Sequence, residues 1–569
     1  MCTALVHQKL TYIEKFMPLL CEKSRGEMEV DEMFEWNPYH VTTPVNIGPT
    51  QAIYIKPSLT LMHQALLVPE VLLEIFAYVN TIPSTTWQKT ERFGYVNTIP
   101  PTQITSTLAA LARTCKIFHE PVMDLLWIEI HGLEPLLGCV ARLHPLIYRR
   151  GTRWDDIFSW AEGVEPLSAH EARQFLRHFS RIRTLNIERT HLQLISVIPA
   201  NVYVFPRLRS LSLSIAYLNH FLPLTLHPRH LLNIDKSRQS FVTRCSALEH
   251  LYIHTDGYYD IASQLSLLSD RIRRCTRLVT LSCPMLNWET WKHLSCLPTL
   301  LKLEIDQGYD DTPSLSKRDI VNLSFLNITS LSFRGLADAA EIITVIQHSQ
   351  FPSLKKFKLA ALYLYPEEAE QLFHALSCCK ACQTLEEITI CSPDEEHGPS
   401  DSEPLTPVPH LLCFTQLRTL QLWFYNPCIY LDNGILLQAM FSWPHIRTLE
   451  INYLDDLDDH HASSEVSLHG LFTALSLCPQ LHTLQILINL ATIDVDPHAE
   501  PIQHTSLQTL ELLDISQSQI ADAEALARVI SAWLPCVDKV NSIGSTWDEV
   551  NKHLKSSTAA TALYVAETS

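Results

Sequence analysis

The chain has 569 residues, 46% of them hydrophobic, and 43 lysines and arginines stand against 61 aspartates and glutamates, a formal net charge of −18. That balance argues against a nucleic-acid or anionic-membrane partner, because phosphate binding needs clustered positive charge, and no run of about 18 uncharged apolar residues is present to span a bilayer. The 14 glycines are too dispersed for a phosphate cradle, which argues against nucleotide use, and the 16 cysteines are scattered among apolar positions like the reduced thiols of cytosol or nucleus.

Residues 1–60 are of mixed polarity and are broken by Pro44, Pro49 and Pro57, which predicts a poorly ordered leader. The first residues, Met1 to His7, lack a charged leader followed by a long apolar run, so no secretory signal is expected. The next span, 61–137, reads as a small helical domain. Its first piece runs Leu67-Val68-Pro69-Glu70-Val71-Leu72-Leu73-Glu74-Ile75-Phe76, where Pro69 and Glu70 suit the opening turn of a helix and Val71, Leu72, Ile75 and Phe76 fall on one face. The second piece, Leu108 to Phe118, repeats the pattern through Leu108, Leu111, Ala112 and Cys115, and Trp127 follows as a large anchor.

These pieces, in this order, resemble the F-box carried by many proteins of mushroom-forming (basidiomycete) fungi. The resemblance implies docking on a Skp-type adaptor, and through it on a cullin, with Leu67, Pro69, Glu70, Val71, Leu72, Ile75, Phe76, Leu111, Cys115 and Trp127 engaging or supporting the adaptor. Two features depart from the pattern. Pro69 directly precedes Glu70, and Tyr78-Val79-Asn80-Thr81-Ile82-Pro83 recurs verbatim as Tyr95 to Pro100, so an insert at about 84–100 reads as a local duplication or an imperfect gene model.

Residues 138–180 are expected to form connecting helices, the best marked starting at Ser168 with Glu171 three residues later as a capping box and burying Ala172, Phe175, Leu176 and Phe179. From 181 to 543 the phrase apolar-x-x-apolar-x-apolar returns twelve times, as Ile182–Ile187, Leu208–Leu213, Leu248–Ile253, Leu278–Cys283, Leu300–Ile305, Ile328–Phe333, Leu354–Leu359, Leu385–Ile390, Leu417–Leu422, Ile446–Ile451, Leu481–Ile486 and Leu507–Leu512. A degenerate thirteenth is read at Val537–Ser542, and residues 544–569 as a cap and tail. Helical phrases precede several of these units, so each is read as helix, turn and short strand. One such unit cannot bury its own apolar face, whereas a stack can.

The pattern is that of leucine-rich repeats. The predicted fold is therefore α/β: a small F-box-like helical domain followed by an irregular solenoid with parallel strands on the concave side and helices outside. Asn489 alone stands where such repeats usually place Asn or Cys, so the backbone turns are expected to be satisfied in other ways.

Signs of chemistry are weak. Cys378, Cys379 and Cys382 lack a second ligand pair at zinc-site spacing, and the run Asp455 to His461 lacks the glycine turn and closing glutamate of a calcium loop. No metal, cofactor or catalytic residue is assigned. A better candidate site is the concave face, where alternate strand residues point away from the core: His250, Tyr252, His254, Asp306, Arg334, Lys356, Lys358, Trp423 and Glu450 are the residues expected to hold a target protein. The expectation is a non-catalytic, cytoplasmic or nuclear substrate receptor of an SCF-type ubiquitin ligase, with no nucleic-acid or membrane partner. An adaptor-bound scaffold without ubiquitin transfer is the first alternative, and an enzyme with a repeat-built pocket the second.

Overall fold

The computed structural model describes residues between 108 and 555, leaving out among others 1–107, 149–160, 223–246, 308–319, 393–407, 454–464 and 556–569. All described residues lie within the unit Ala65–Ser569. Of the residues assigned to the adaptor, Leu67, Pro69, Glu70, Val71, Leu72, Ile75, Phe76, Leu111 and Cys115 lie outside the description, as do the insert at 84–100 and the acidic run at Asp455 to His461.

Helix α1 (Lys116–Leu126) leads into β1 (Glu129–His131), the short helices α2 (Glu134–Leu137) and α3 (His144–Ile147), and then α4 (Ala169–Leu176). Strands and helices follow as β2 (Thr184–Ile187), β3 (Ser210–Ser214), α5 (Leu218–Phe221), β4 (His250–His254), α6 (Ile261–Ile272), β5 (Thr280–Cys283), α7 (Trp288–Ser295) and β6 (Lys302–Asp306). Next come β7 (Leu323–Ser324), β8 (Ser330–Leu336), α8 (Ala340–Gln347), β9 (Ser349–Gln350), β10 (Lys356–Ala361), α9 (Pro366–Cys378), β11 (Glu387–Ser392) and α10 (Val408–Leu411). The series ends with β12 (Thr419–Phe424), α11 (Asn433–Ser442), β13 (Thr448–Tyr453), α12 (Leu468–Leu475), β14 (Thr483–Ile488), β15 (Thr509–Asp514), α13 (Ala523–Trp533) and β16 (Val540–Asn541). A further helix covers 547–555.

The fold is α/β, as the sequence predicts. Among the described residues fourteen strands form one sheet in chain order, every neighbouring pair parallel, while β7 and β9 pair separately. Each of the twelve predicted phrases ends in a strand of this sheet, and the degenerate thirteenth contains β16. Two features were not anticipated. β1, within the span read as helical domain, is the first strand of the sheet, and β7 and β9 form a second, two-stranded ladder.

In-register pairing sets Leu185, Leu211, Leu251, Leu281, Leu303 and Leu331 side by side, all buried. Each such side chain contributes roughly 1.5–3 kcal/mol by leaving water, and a neighbouring repeat covers what its own repeat cannot. The helices add Trp291, Ile343, Leu372, Met440 and Leu475 to the same continuous core, so they cover one face of the sheet. Helix starts are written locally: Asn287, Asp432, Ser467 and Asp522 each accept a hydrogen bond from the backbone N–H three residues on.

Asn489 is exposed, and the equivalent positions after β2, β4 and β12, namely Thr190, Asp256 and Tyr425, lie outside the described residues. Backbone N–H groups just before the strands donate in an unbroken series, Arg209 to the Arg183 carbonyl, Glu249 to Arg209, Val279 to Glu249, and so on to Gln508 and His482. Side chains supplement it: the Thr299 hydroxyl donates to the Leu278 carbonyl at 2.7 Å, Ser353 to Leu326 at 2.6 Å and Thr384 to Leu354 at 2.8 Å. Buried His504 accepts from the Leu507 N–H at 3.3 Å through Nδ1, while its Nε2 lies 2.8 Å from the Cys478 carbonyl.

The capping box at Ser168 and Glu171 forms as the spacing predicts. Glu171 also receives Arg142 at 3.0 Å, and the hydrogen bonds from Arg142 and from the Ser168 N–H bring its carboxyl down to about 2. Ser168→Ala is expected to cost about 1 kcal/mol in urea unfolding. Because the folded carboxyl titrates below its unfolded counterpart near 4.5, its contribution is fully present above that pH and fades as pH falls towards 2. Glu171→Gln should flatten that part of the acid limb.

β8 carries a bulge. Leu359 faces Phe333 but Ala361 faces Leu336, so Arg334 and Gly335 together oppose one residue of β10, and Gly335 takes the left-handed φ of +61°. Gly335→Ala is expected to cost about 1–2 kcal/mol in the same assay, and Gly335→Asn less, because asparagine tolerates this region better.

Candidate binding surface

The strand residues that alternate with the core form the second face of the sheet, which carries no helix among the described residues, and pairing arranges them in rows. One row runs His250, Thr280, Lys302, Ser330, Lys356, Glu387, Thr419, Thr448. The next runs Tyr252, Ser282, Glu304, Ser332, Lys358, Thr389, Gln421, Glu450, and beyond these Asp306 pairs with Arg334 and Cys391 with Trp423. Neighbouring strands lie about 4.8 Å apart, so side chains along a row are within reach of one another.

Every residue assigned to the target lies on this face. Arg334 and Lys356 are exposed, and His250, Tyr252, His254, Asp306, Lys358, Trp423 and Glu450 are half-buried. Strict alternation fails at several outward positions: Thr280 and Ser332 of these rows are buried, as are Ser214, Gln485 and Leu487.

Electrostatics divide the face into patches. Glu304 lies 3.5 Å from both Lys302 and Arg334. Glu387 takes Lys356 and Lys358 at 2.6 Å each; burial works to raise its carboxyl, but the two ammonium groups outweigh it and hold the group below the usual carboxylate range. Burial, then the Glu304 carboxylate, push the Tyr252 hydroxyl up. Further along, the Thr389 hydroxyl donates to Gln421 Oε1 at 3.1 Å and Gln421 Nε2 to Glu450 Oε2 at 2.8 Å, a polar chain across three strands. Trp423 sits beside Cys391 in register, with its Nε1–H enclosed and unpartnered among the described residues. These acids are already held by cations or amides, so the face offers fixed polar and aromatic groups for matching a partner's surface. Glu387 and Thr389 were missed by the sequence reading, although they fill the two alternate positions of the unit Leu385–Ile390.

Of the adaptor set, Trp127 is described. It is partly buried against the main core and stacks on His178, with centroids 4.4 Å apart and planes 1° from parallel. Arg181 ties the same region to α1 through ion pairs with Glu120 and Asp124. The apolar side of α1 faces elsewhere: Leu108 and Val122, with Ala112, Phe118, Leu125 and Leu126, form a small cluster distinct from the core of the sheet. Of the cysteine group Cys378, Cys379 and Cys382, burial pushes the Cys379 thiol up to about 11. Among the described residues no helix is long and apolar enough to cross a membrane. No protein-family profile matches the chain, and no curated protein matches it.

Proposed function

We propose that the chain is the substrate-recognition subunit of an SCF-type ubiquitin ligase, in which F-box-like helices engage a Skp-type adaptor and the open face of a leucine-rich-repeat sheet engages a target protein. The observation that carries this reading is the separation of the two apolar systems. The stack of strands satisfies its own apolar surface, while Leu108, Val122 and their neighbours on the F-box-like stretch stand apart from that core. A helical cluster of this size has surplus apolar surface to place against a partner. The role of the chain is then proximity: it raises the effective concentration of target lysines beside a charged ubiquitin carrier.

Affinity purification of the tagged chain with mass spectrometry tests this. Adaptor and cullin peptides should co-purify, and replacing Pro69 and Glu70 by alanine should remove both and abolish ubiquitination of co-purified proteins. Adaptor without cullin, or ubiquitination that persists in the double variant, would overturn the ligase role.

A further inference from the structure

The chain is acidic overall, yet one edge of the sheet is strongly basic. A cavity of about 350 Å³ opens where β2, β3, β4 and β5 begin, lined by Arg183, Arg207, Arg209 and Arg277 together with Glu249 and a wall of Pro206, Leu208 and Ala247. Strand register builds it. Arg183, Arg209 and Glu249 each precede the aligned residues Thr184, Ser210 and His250, and the backbone series Arg183, Arg209, Glu249 fixes their spacing. Arg207 and Arg277 stand two residues earlier in their own units, Arg207 in the turn closed by the Leu208 N–H on the Phe205 carbonyl.

Four guanidinium groups and one carboxylate leave a local balance of +3 (4 − 1) in a chain whose formal net charge is −18. The carboxylate does not use up the donors. Glu249 Oε1 lies 3.6 Å from Arg209 Nη1 and 3.9 Å from Arg277 Nη2, distances at which the attraction is electrostatic without a well-formed hydrogen bond. Arg183 and Arg207 have no carboxylate partner among the described residues. An anion entering the cavity therefore meets Arg209 and Arg277, which already lean towards one internal oxygen, and Arg183 and Arg207 in the same lining.

We propose that this cavity binds a phosphate monoester. Such a group carries roughly −1.5 to −2 at neutral pH and three acceptor oxygens, which suits several guanidiniums better than a single carboxylate does. The volume lies at the small end of ligand sites, which run from about 300 Å³ upward, so a terminal phosphate fits and a continuous phosphodiester backbone does not. The proposal is independent of the ligase role, since the cavity opens at the strand starts and shares no residue with the rows of the open face. A phosphorylated side chain of another protein and a free phosphorylated metabolite present the same chemistry.

Isothermal titration calorimetry on the full chain at low ionic strength tests it with three probes: a phosphoserine peptide, glycerol 3-phosphate as a small free monoester, and a short oligothymidylate. The first two should bind saturably at one site, the tighter of them naming the source, and both should weaken as salt screens the cavity. Arg207→Ala and Arg277→Ala should each weaken binding about tenfold, the order expected for losing a charge-assisted hydrogen bond. Arg528→Ala on α13 should leave it unchanged. Glu249→Gln keeps the shape, removes the internal competitor and should tighten binding several-fold, so the site stays testable if an arginine variant folds poorly. Absence of saturable binding by both phosphate probes, arginine variants that bind like the wild type, oligothymidylate binding as tightly as the monoester, or Glu249→Gln leaving affinity unchanged or weaker would each overturn the proposal.

Discussion

Trp443→Ala is expected to cost about 3–5 kcal/mol of unfolding free energy, the largest effect of a single truncation considered. The indole closes α11 and is 1% exposed within the main core. It is also a tie between repeats. Its Nε1–H donates to the Leu411 carbonyl at 3.1 Å in the preceding repeat, and the Cys478 thiol of the following one donates to the Met440 carbonyl at 3.3 Å, one turn back along α11. Truncation removes the buried area, opens a cavity and leaves the Leu411 carbonyl without this donor. Trp443→Phe separates the contributions, since most of the apolar area remains and only the hydrogen bond goes, for a cost of about 1–2 kcal/mol. Each repeat rests on its neighbours, so urea unfolding of Trp443→Ala should split into two steps, with residues beyond β12 exposed first by hydrogen exchange.

Lowering the pH is expected to loosen α1 while the sheet remains folded. His178 is enclosed against Trp127 with an unpartnered Nδ1, and burial together with the charges of Arg177 and Arg181 brings its imidazole down to about 4 from 6.5. Between these values the unfolded chain binds a proton that the folded one refuses, so stability rises with pH. The contribution is whole above 6.5 and is lost as pH falls towards 4. Arg181 carries the ion pairs that hold Glu120 and Asp124 of α1, and a cation formed at His178 repels that guanidinium, a repulsion that outweighs its attraction to Glu120. Hydrogen exchange of α1 amides should accelerate across this window while amides of β11 to β13 stay protected. His178→Phe keeps an aromatic against Trp127 and should abolish the pH dependence; acceleration that persists in this variant would place the titrating group elsewhere.

The strands were legible because each carries two apolar residues at alternate positions behind a third, and these are the residues the core needs: Leu208, Leu211 and Leu213, or Leu417, Leu420 and Leu422, are buried alike. β1 escaped notice because its three residues bury Ile130 alone, and β7 and β9 are two residues long, too short for any period to show. The rows of the open face could be placed from alternation, but their pairing could not. Glu387 meets Lys356 and Lys358 from a strand 31 positions away from Lys356, a partnership set by register. Trp127 reads as a docking anchor because a large aromatic ends the F-box-like stretch, whereas its stacking on His178, two residues after α4, depends on the fold and is not written in the local sequence. The arginine cavity was invisible for a related reason: single arginines before strands read as ordinary solvated residues, and only three-dimensional register gathers them.

Binding of the purified full chain to a purified Skp-type adaptor, measured by biolayer interferometry, tests the central claim most directly. A one-to-one complex is expected, with Leu72→Ala and Phe76→Ala each weakening it at least tenfold, as loss of buried apolar anchors does at an interface, while Tyr252→Ala and Trp423→Ala on the open face leave it unchanged. No complex with the adaptor, or a complex that is indifferent to Leu72 and Phe76 and lost with Trp423, would contradict the assignment of docking and target recognition to separate surfaces.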